Sequence, residues 1–464
     1  MQTPSRRQFL AVGVILLCCL PLLTSPLTAQ SDGQETAQNP CAGTLVNPAN
    51  GTTVVAVQGY SWLENGVKEP AKLVGVGPNG EVKWVHHTAE HGMVWGYDVD
   101  PMENGNLFVT GTANGKTVAY EFNPRTQEHV WEESLPIHDT HDIDLINNGT
   151  QLLVANMRAY NEEAETNDDS IFVYDLEKDE VVWRWYFRDH YPKDTARNYS
   201  NDWTHVNDVD KVGDDQYLAS PRNFDQAILI NKTTKEIDLQ LGEDGDHDTL
   251  YEQHNPDYLE SEDGDPTFLV ADSENERIVE YEKQDDGWNL TWELGQGDDL
   301  RWPRDADRLE NGNTLIGDSK HQRVIEVTPE GDVVWEFYTP WLVYDVARLP
   351  DERAESPTMA DRNATGSYGI SGDTAKYDAE SMKECHSYLQ SIDGWADGQE
   401  PGAETGSDTP GVQDDDERNN GSLVGANSTQ TASEPSGPAS LPGFDFVVGA
   451  VALLLAVALF VRRR

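Results

Sequence analysis

The chain has 464 residues and carries 83 Asp and Glu side chains against 33 Lys and Arg, a formal net charge of −50. This charge excludes nucleic acid as an expected partner, because binding to phosphates requires a basic surface. It also predicts an environment of high salt, where ions screen the self-repulsion that would otherwise destabilise a compact state. The 13 Trp and 17 Tyr residues argue against an acidic disordered chain.

Residues 1–29 are predicted to be an export signal. Arg6 and Arg7 precede an apolar stretch of about 15 residues, the arrangement of a signal segment. The paired arginines match a twin-arginine signal, with cleavage after Ala29, and a plain signal anchor is the alternative.

Cysteine usage agrees with export. Cys18 and Cys19 lie in the signal segment, so only Cys41 and Cys385 remain in the mature chain. In an oxidising compartment these two are predicted to form one disulfide, and two free buried thiols are the alternative. Glycosylation sequons, which suit a surface glycoprotein, occur at Asn50, Asn148, Asn198, Asn231, Asn289, Asn363, Asn420 and Asn427.

A four-stranded unit recurs along the chain at a spacing of about 45–60 residues, which is typical of an all-β propeller. Residues 53–86 form the first unit, and helical periodicity is nearly absent before residue 375. Each later unit has an alternating run, a turn with NG, DD or DG, and a second apolar strand. Those units begin with "YDVDPMENGN" at Tyr97, "HDIDLINNGT" at His141, "NDVDKVGDDQ" at Asn207, "PDYLESEDGD" at Pro256 and "RDADRLENGN" at Arg304.

The folded region is predicted to span residues 41–395 and to close as a ring of six blades, with seven as the alternative. The segment "WLVYDVARLP" (341–350) resembles the first strand of one more unit and is expected to complete the first blade. A Cys41–Cys385 disulfide would lock this closure. Residues 378–391 are predicted to form a helix.

The C-terminal part is predicted to be a stalk and an anchor. Residues 396–440 are rich in Gly, Ser, Thr and acidic residues, and are expected to be a disordered linker. Residues 441–464 combine Pro442-Gly443-Phe444, an apolar stretch and three terminal arginines, and resemble the PGF-type sorting signal of haloarchaeal surface proteins. The resemblance implies replacement of the tail by a lipid, and the folded body is expected on the outer face of the membrane.

Histidines recur where the innermost strands begin, and these starts converge at one mouth of the propeller channel. His205 and His254 each lie three residues before an aspartate, and His141 directly precedes Asp142. Such a ring suits an anionic group, and imidazole acts as a nucleophile or base near neutral pH. Two alternatives are strand-capping histidines and a three-histidine zinc site with Asp98, Asp142 and Asp208 behind it. The candidates at the mouth are Trp95, His138, Asp139, His141, His205, His254, Arg301, Trp302 and Arg304.

The sequence over 95–345 resembles the PAPS-independent arylsulfate sulfotransferases, most specifically over 138–258. The shared features run through "HVNDVDKVGDDQYLASPRNFDQAILINKTTKEIDLQLGEDGD" and "EQHNPDYL". They are His205, Ser220-Pro221-Arg222, Ile230 to Ile237, Leu241-Gly242 and Gln253-His254. The resemblance implies a six-bladed propeller that transfers a sulfuryl group between phenols in a ping-pong reaction.

The resemblance also implies roles for particular residues. His254 would be transiently sulfated, while His141, His205 and Arg222 would bind the sulfuryl oxygens. His138, Trp302 and Arg304 are further candidates for substrate binding at the mouth. Neither a cofactor nor a metal is implied; the expected partners are an aryl sulfate donor and a phenolic acceptor. The alternative is a non-catalytic surface propeller that binds a glycan or a protein.

Overall fold

The structure is a computed structural model that describes residues 39–59, 69–353, 357–373 and 378–402. Its 3-10 helices are Thr88–His91, Phe187–Asp189, Arg222–Phe224 and Ser273–Asn275, and its one α-helix within these ranges is α1 (Ala379–Gln390). Its strands are β1 (Ala42–Leu45), β2 (Thr52–Gln58), β3 (Lys72–Val76), β4 (Val82–His87), β5 (Met93–Pro101), β6 (Leu107–Ala113), β7 (Lys116–Asn123), β8 (Glu128–Leu135), β9 (Ile143–Ile146), β10 (Gln151–Asn156), β11 (Tyr160–Asn161), β12 (Thr166–Asn167), β13 (Ser170–Asp175), β14 (Glu180–Tyr186), β15 (Val206–Val212), β16 (Gln216–Pro221), β17 (Ala227–Asn231), β18 (Ile237–Leu241), β19 (His254–Glu260), β20 (Pro266–Asp272), β21 (Arg277–Gln284), β22 (Gly287–Leu294), β23 (Pro303–Arg308), β24 (Thr314–Asp318), β25 (Arg323–Val327), β26 (Val333–Tyr338), β27 (Leu342–Leu349), β28 (Gly366–Tyr368) and β29 (Gly394–Trp395).

The strands form a six-bladed β-propeller, which confirms the predicted fold and excludes the seven-bladed alternative. The blades, from the innermost strand outward, are β27-β2-β3-β4, β5-β6-β7-β8, β9-β10-β13-β14, β15-β16-β17-β18, β19-β20-β21-β22 and β23-β24-β25-β26. Three short strands add to outer edges: β29 to blade 1, β28 to blade 5 and β1 to blade 6.

The hydrophobic core is divided among the junctions between neighbouring blades. Within the described residues there are six hydrophobic clusters, and each takes its side chains from two adjacent blades. Middle strands such as β3 and β24 are buried throughout because another blade covers each of their faces. This burial explains why they are continuous apolar runs in the sequence rather than alternating ones.

The ring closes as predicted. The C-terminal strand β27 pairs antiparallel with β2 and supplies the innermost strand of blade 1. The predicted disulfide between Cys41 and Cys385 is present. It joins the segment that leads into β1 to the helix α1, and both cysteines are fully buried beside Trp335 and Phe337.

The recurring aspartates of the innermost strands form a second layer on the propeller axis, the axial aspartate ring. It consists of Asp98, Asp100, Asp142, Asp144, Asp208, Asp210, Asp257, Asp305, Asp307 and Asp345, and Arg353 is the cation among them. Several of its carboxylates accept backbone N–H groups of the next blade: Asp345 binds Val99 at 2.7 Å and Asp305 binds Val346 at 3.0 Å. These aspartates therefore join neighbouring blades, which gives the repeated motif a structural role.

We expect this ring to make the protein more stable in mild acid. Burial, and then neighbouring carboxylates, raise the pKa of Asp144 to about 7, and burial raises the pKa of Asp257 to about 6. Because these pKa values exceed the ordinary value of 3.8, their contribution to stability is complete below about pH 4 and is lost as the pH rises through 6 to 7. At constant high salt, the melting temperature should therefore decrease as the pH is raised from 5 to 8.

The Asp144→Asn substitution tests this. The amide keeps an oxygen for the Lys211 N–H group, which Asp144 binds at 3.0 Å, and removes the titration. The variant should gain up to about 4 kcal/mol over wild type at pH 8 and nothing at pH 4, since the pKa of Asp144 is raised from 3.8 to about 7 and each pKa unit corresponds to about 1.4 kcal/mol. Asp286→Asn, on an exposed turn, is the charge-matched control. Parallel pH curves for Asp144→Asn and wild type would contradict the interpretation.

Several predicted segments lie outside the described residues: the signal segment 1–29, the linker from residue 403 onward and the sorting signal 441–464. In the part of the chain that is described, no helix is long and apolar enough to span a membrane.

Candidate active site

Each blade places one side chain at the same mouth of the channel, from its innermost strand or from the one or two residues before that strand. These six residues, the mouth ring, are Tyr97, His141, His205, His254, Arg304 and Tyr344, and all are at least nine-tenths buried. Tyr344 is at the centre of the contacts: its ring centroid lies 5.6 Å from that of His141 and 6.3 Å from that of His254. The propeller thus brings together three of the histidines singled out in the sequence.

His254 is held in a defined orientation at the start of β19. Its Nδ1 lies 2.8 Å from Ser273 Oγ, and that hydroxyl donates to the carbonyl of Pro303 at 2.6 Å. Ser273 therefore accepts the Nδ1 proton, which leaves the lone pair of the neutral ring on Nε2. Burial, and then the charges of Arg304, Arg222 and His205, hold the pKa of His254 well below its usual value. The ring is neutral at pH 7 and suited to nucleophilic attack.

His205 forms a carboxylate–histidine pair beside His254. Its Nδ1 donates to Asp202 Oδ1 at 2.8 Å, and its buried Nε2 has no hydrogen-bond partner among the described residues. Burial lowers the pKa of His205 to about 4, although the hydrogen bond to Asp202 opposes this shift. The residue adopts φ +44°, in the left-handed region, which is uncommon for a side chain other than Gly or Asn. Nε2 can therefore accept a proton from a bound hydroxyl.

An insertion in blade 3, residues 157–169 between β10 and β13, reinforces this pair. It carries Arg158, whose Nη1 donates to Asp202 Oδ1 at 2.8 Å and whose Nε donates to Asp139 Oδ2 at 2.6 Å. Asp139 in turn accepts the hydroxyl of Tyr97. The insertion thus fixes the carboxylates behind His205 and Tyr97.

Arg304 supplies a buried cation from blade 6. Its guanidinium lies 3.9 Å from the centroid of Trp302 and 5.0 Å from that of Tyr344. One Nη donates to Gln58 at 2.8 Å, while its buried Nε has no partner among the described residues. Burial lowers the pKa of Arg304 to about 10, so the group stays charged at pH 7. A buried charge with an unused donor suits an anionic ligand.

Arg222 follows β16 and lies beside the loop that leads to His254. Its guanidinium donates to Asn223 Oδ1 at 3.0 and 3.2 Å, and its Nη2 lies 3.4 Å from Glu252 Oε2. The charge of Arg222 contributes to the low pKa of both His205 and His254. Arg222 is therefore within electrostatic reach of both rings.

Two of the weaker sequence candidates occupy different positions. The exposed ring of His138 contacts the Gly115 carbonyl and has no described contact with the mouth ring. Trp302 lies between the cations of Arg304 and Lys320, and its ring centroid is 6.0 Å from that of His254. Trp302 therefore supports the site through Arg304.

Sequence reasoning missed Tyr97 and Tyr344 in the mouth ring, and the supporting residues Arg158, Asp202 and Ser273. The two tyrosines had a usable signal, since each directly precedes the aspartate of its innermost strand (Asp98 and Asp345). The supporting residues had none, because they lie on loops whose approach to the axis depends on the fold.

The acidic loop before His254 does not crowd the anion site. Its residues from Glu243 to Asp248 are exposed. Asp225 holds this loop in place by accepting the backbone N–H groups of Gly245 at 3.1 Å and Glu252 at 3.0 Å. Glu252 is the one carboxylate of the stretch directed at a site cation, Arg222.

These features define a six-bladed propeller with a histidine–arginine pocket at one end of its axis. The sequence matches the family described as Arylsulfotransferase (ASST) over residues 46–291, more than half of the chain. The chain belongs to this family. The matched segment includes His141, His205, Arg222 and His254, whereas Arg304 and Tyr344 follow it.

Comparison with solved structures adds distant likenesses in fold. A Bacteroides caccae protein of unknown function is 14% identical, with a TM-score of 0.45, and the alignment covers 65% of this chain and 100% of that one. Virginiamycin B lyase from Staphylococcus aureus is 11% identical, with a TM-score of 0.35, covering 55% and 72%. Hydrazine synthase of Kuenenia stuttgartiensis is 13% identical, with a TM-score of 0.33, covering 55% and 70%. No curated protein matches the sequence.

Proposed function

We propose that this protein transfers a sulfuryl group from an aryl sulfate to a phenol through a sulfated His254. The observation that carries the proposal is the neutral, Nδ1-anchored ring of His254 within reach of the charges of Arg304 and Arg222. Family membership supports the same class of reaction. Family membership implies an aromatic sulfate as the donor and a phenol as the acceptor.

In the first half-reaction, Nε2 of His254 attacks sulfur as the bond between sulfur and the aryl oxygen breaks. The aryl oxygen leaves as a phenolate, and the sulfuryl group stays on Nε2. Like phosphoryl transfer, this step has a loose transition state with charge on the peripheral oxygens. Arg304 and Arg222 supply positive charge and donors for that anion, and the neutral ring of His141 supplies one N–H donor. One such donor typically contributes about 3–4 kcal/mol.

In the second half-reaction, a phenol replaces the first product. Its hydroxyl gives a proton to the free Nε2 of His205 as its oxygen attacks sulfur and the bond between sulfur and His254 breaks. His205 then releases the proton to solvent, so both histidines return to their neutral forms and the cycle is balanced without a cofactor. Asp202 stabilises the imidazolium that forms on His205.

The proposal is tested by incubating the protein with a nitrophenyl sulfate and phenol in high salt. We expect release of nitrophenolate that depends on phenol, together with an intact-mass species heavier by one SO3 group when the acceptor is left out. Absence of turnover and of the sulfated species, across donors and salt concentrations, would favour the alternative of a propeller that binds a glycan or a protein.

We also propose that the protein is exported through the twin-arginine route by a halophilic archaeon and held on the outer face of its membrane by a PGF-type C-terminal signal. The Cys41–Cys385 disulfide supports an oxidising compartment. Asn148, Asn198 and Asn289 are exposed as glycosylation requires. Mass analysis of protein from the native membrane should find a new N-terminus near Ala29 and a truncated, lipid-bearing C-terminus. Recovery of the unprocessed chain from the cytoplasm would refute this.

A further inference from the structure

A second histidine cluster lies at the junction of blades 1 and 2, away from the mouth ring. His86 belongs to β4 of blade 1, and His129 belongs to β8, the outermost strand of blade 2. His91 ends the 3-10 helix Thr88–His91, which leads from β4 into β5. Neither family membership nor the proposed sulfuryl transfer uses these residues.

The nitrogen atoms of this trio converge. One ring nitrogen from each histidine lies within 4.8 Å of the other two, the only group of three metal-ligating side chains as close as this within the described ranges. The Nε2 atoms of His86 and His129 are 3.1 Å apart. In a tetrahedral zinc site with Zn–N bonds of about 2.0–2.1 Å, ligand nitrogens lie about 3.3 Å from each other. Two of the ligands are therefore close to the required separation, and the third needs a small movement.

Aromatic packing holds the rings in place. His86 stacks on Phe122 with centroids 4.1 Å apart, and His129 stacks on Tyr120 at 4.2 Å. The exposed ring of His91 lies on the face of His129, with centroids 3.7 Å apart and planes inclined by 13°. The movement that this third ligand needs is a rotation of its exposed ring off the stack, so that its nitrogen points at the ion. On the far side of His129, Nδ1 has no hydrogen-bond partner among the described residues, and Glu132 Oε2 lies 3.8 Å from it.

The trio can be reached from solvent. His86 is buried and His129 is partly buried, whereas His91 is exposed and provides a route for an ion.

We propose that His86, His91 and His129 form a binding site for a divalent transition-metal ion, with Zn²⁺ as the expected occupant. Three imidazole ligands select such ions over Mg²⁺ and Ca²⁺, which prefer oxygen. Water would complete the coordination, since His91 is exposed to solvent. Because the ligands come from two blades, the ion would also stabilise this blade junction.

The test uses chelator-treated full-length protein, titrated with Zn²⁺ in high salt and millimolar Ca²⁺ so that surface carboxylates are saturated. We expect one Zn²⁺ per chain with a Kd below about 1 μM and a higher melting temperature in the loaded protein. Co²⁺ should give the visible absorption of a tetrahedral, nitrogen-rich site.

His91→Ala removes the exposed ligand and should leave the fold intact. It should weaken Zn²⁺ binding by about 100-fold or more, since loss of even a ligand's hydrogen-bond partner costs about 10–100-fold. His190→Ala is the matched control, because His190 is also exposed and stacks on one buried ring, Trp185, at 4.2 Å. Absence of tight binding by wild type, or equal binding by the His91→Ala variant, would overturn the proposal.

Discussion

The His254→Ala variant is expected to lose sulfuryl transfer by at least about 10⁴-fold, the scale of effect seen when a catalytic nucleophile is removed. The ring provides the only route to the covalent intermediate in the proposed cycle, so the sulfated species should disappear with the activity. Rates of nitrophenolate release and intact mass after incubation with donor alone measure both effects. The fold should survive, because the side chain lies at the mouth rather than in a blade-junction core.

The control for this experiment is His190→Ala, which removes an exposed histidine outside the site and should keep wild-type turnover. A substantial residual rate in the His254→Ala variant, with sulfation on another residue, would show that the nucleophile has been misassigned.

The same assay distinguishes the nucleophile, His254, from the proposed base, His205. Asp202→Asn should slow transfer to the acceptor about 10²–10⁴-fold while the sulfated species still forms, because His205 loses the carboxylate that supports its proton uptake.

Removal of the disulfide by a Cys41→Ala and Cys385→Ala double substitution is expected to give the largest change in stability. The bond closes a loop with a sequence separation of 344 residues. In the loop-entropy model, a loop of this length contributes roughly 5–6 kcal/mol by restricting the unfolded chain. For a domain of this size the melting temperature should drop by roughly 5–10 °C. Alanine is chosen because serine would bury two new hydroxyl groups at these positions.

Activity at 25 °C should be retained in the double variant, because the β27–β2 ladder closes the ring without the disulfide. Reductant should lower the melting temperature of wild type to that of the variant and leave the variant unchanged. Equal melting temperatures for oxidised wild type and the double variant would show that the ladder alone secures the closure.

Much of the fold could be predicted because its signals are local and repeated. Each blade carries its own alternation, turn residues and apolar strands, so the repeat period alone indicates a propeller. The closure was predictable too, since "WLVYDVARLP" (341–350) is a first strand without the rest of its blade. The disulfide followed from there being only two cysteines in the mature region.

The site was predictable only in part. His141, His205 and His254 lie close to the same position relative to the innermost strands, so the repeat alignment identified them together with Arg304. Tyr97 and Tyr344 directly precede the strand aspartates as His141 does, but they were missed because the search was for residue types that bind or transfer an anionic group. The zinc-site candidate of His86, His91 and His129 escaped notice because its donors come from two blades and lack a short-range ligand spacing.

The sequence by itself determined the class of fold and most of the positions that face the axis, because these depend on strand alternation and on a repeat within the chain. The structure decided between six and seven blades. The tertiary structure alone decided which nitrogen of His254 is free, which carboxylate supports His205, and which distant histidines meet at a blade junction. Those properties depend on distances of a few ångström between residues far apart in the chain, and on burial that shifts their pKa values. The acidic stretch before His254 is another example. Its charge is evident from the sequence, but the exposure of its side chains to solvent depends on the folded chain, where Asp225 binds the backbone of this loop.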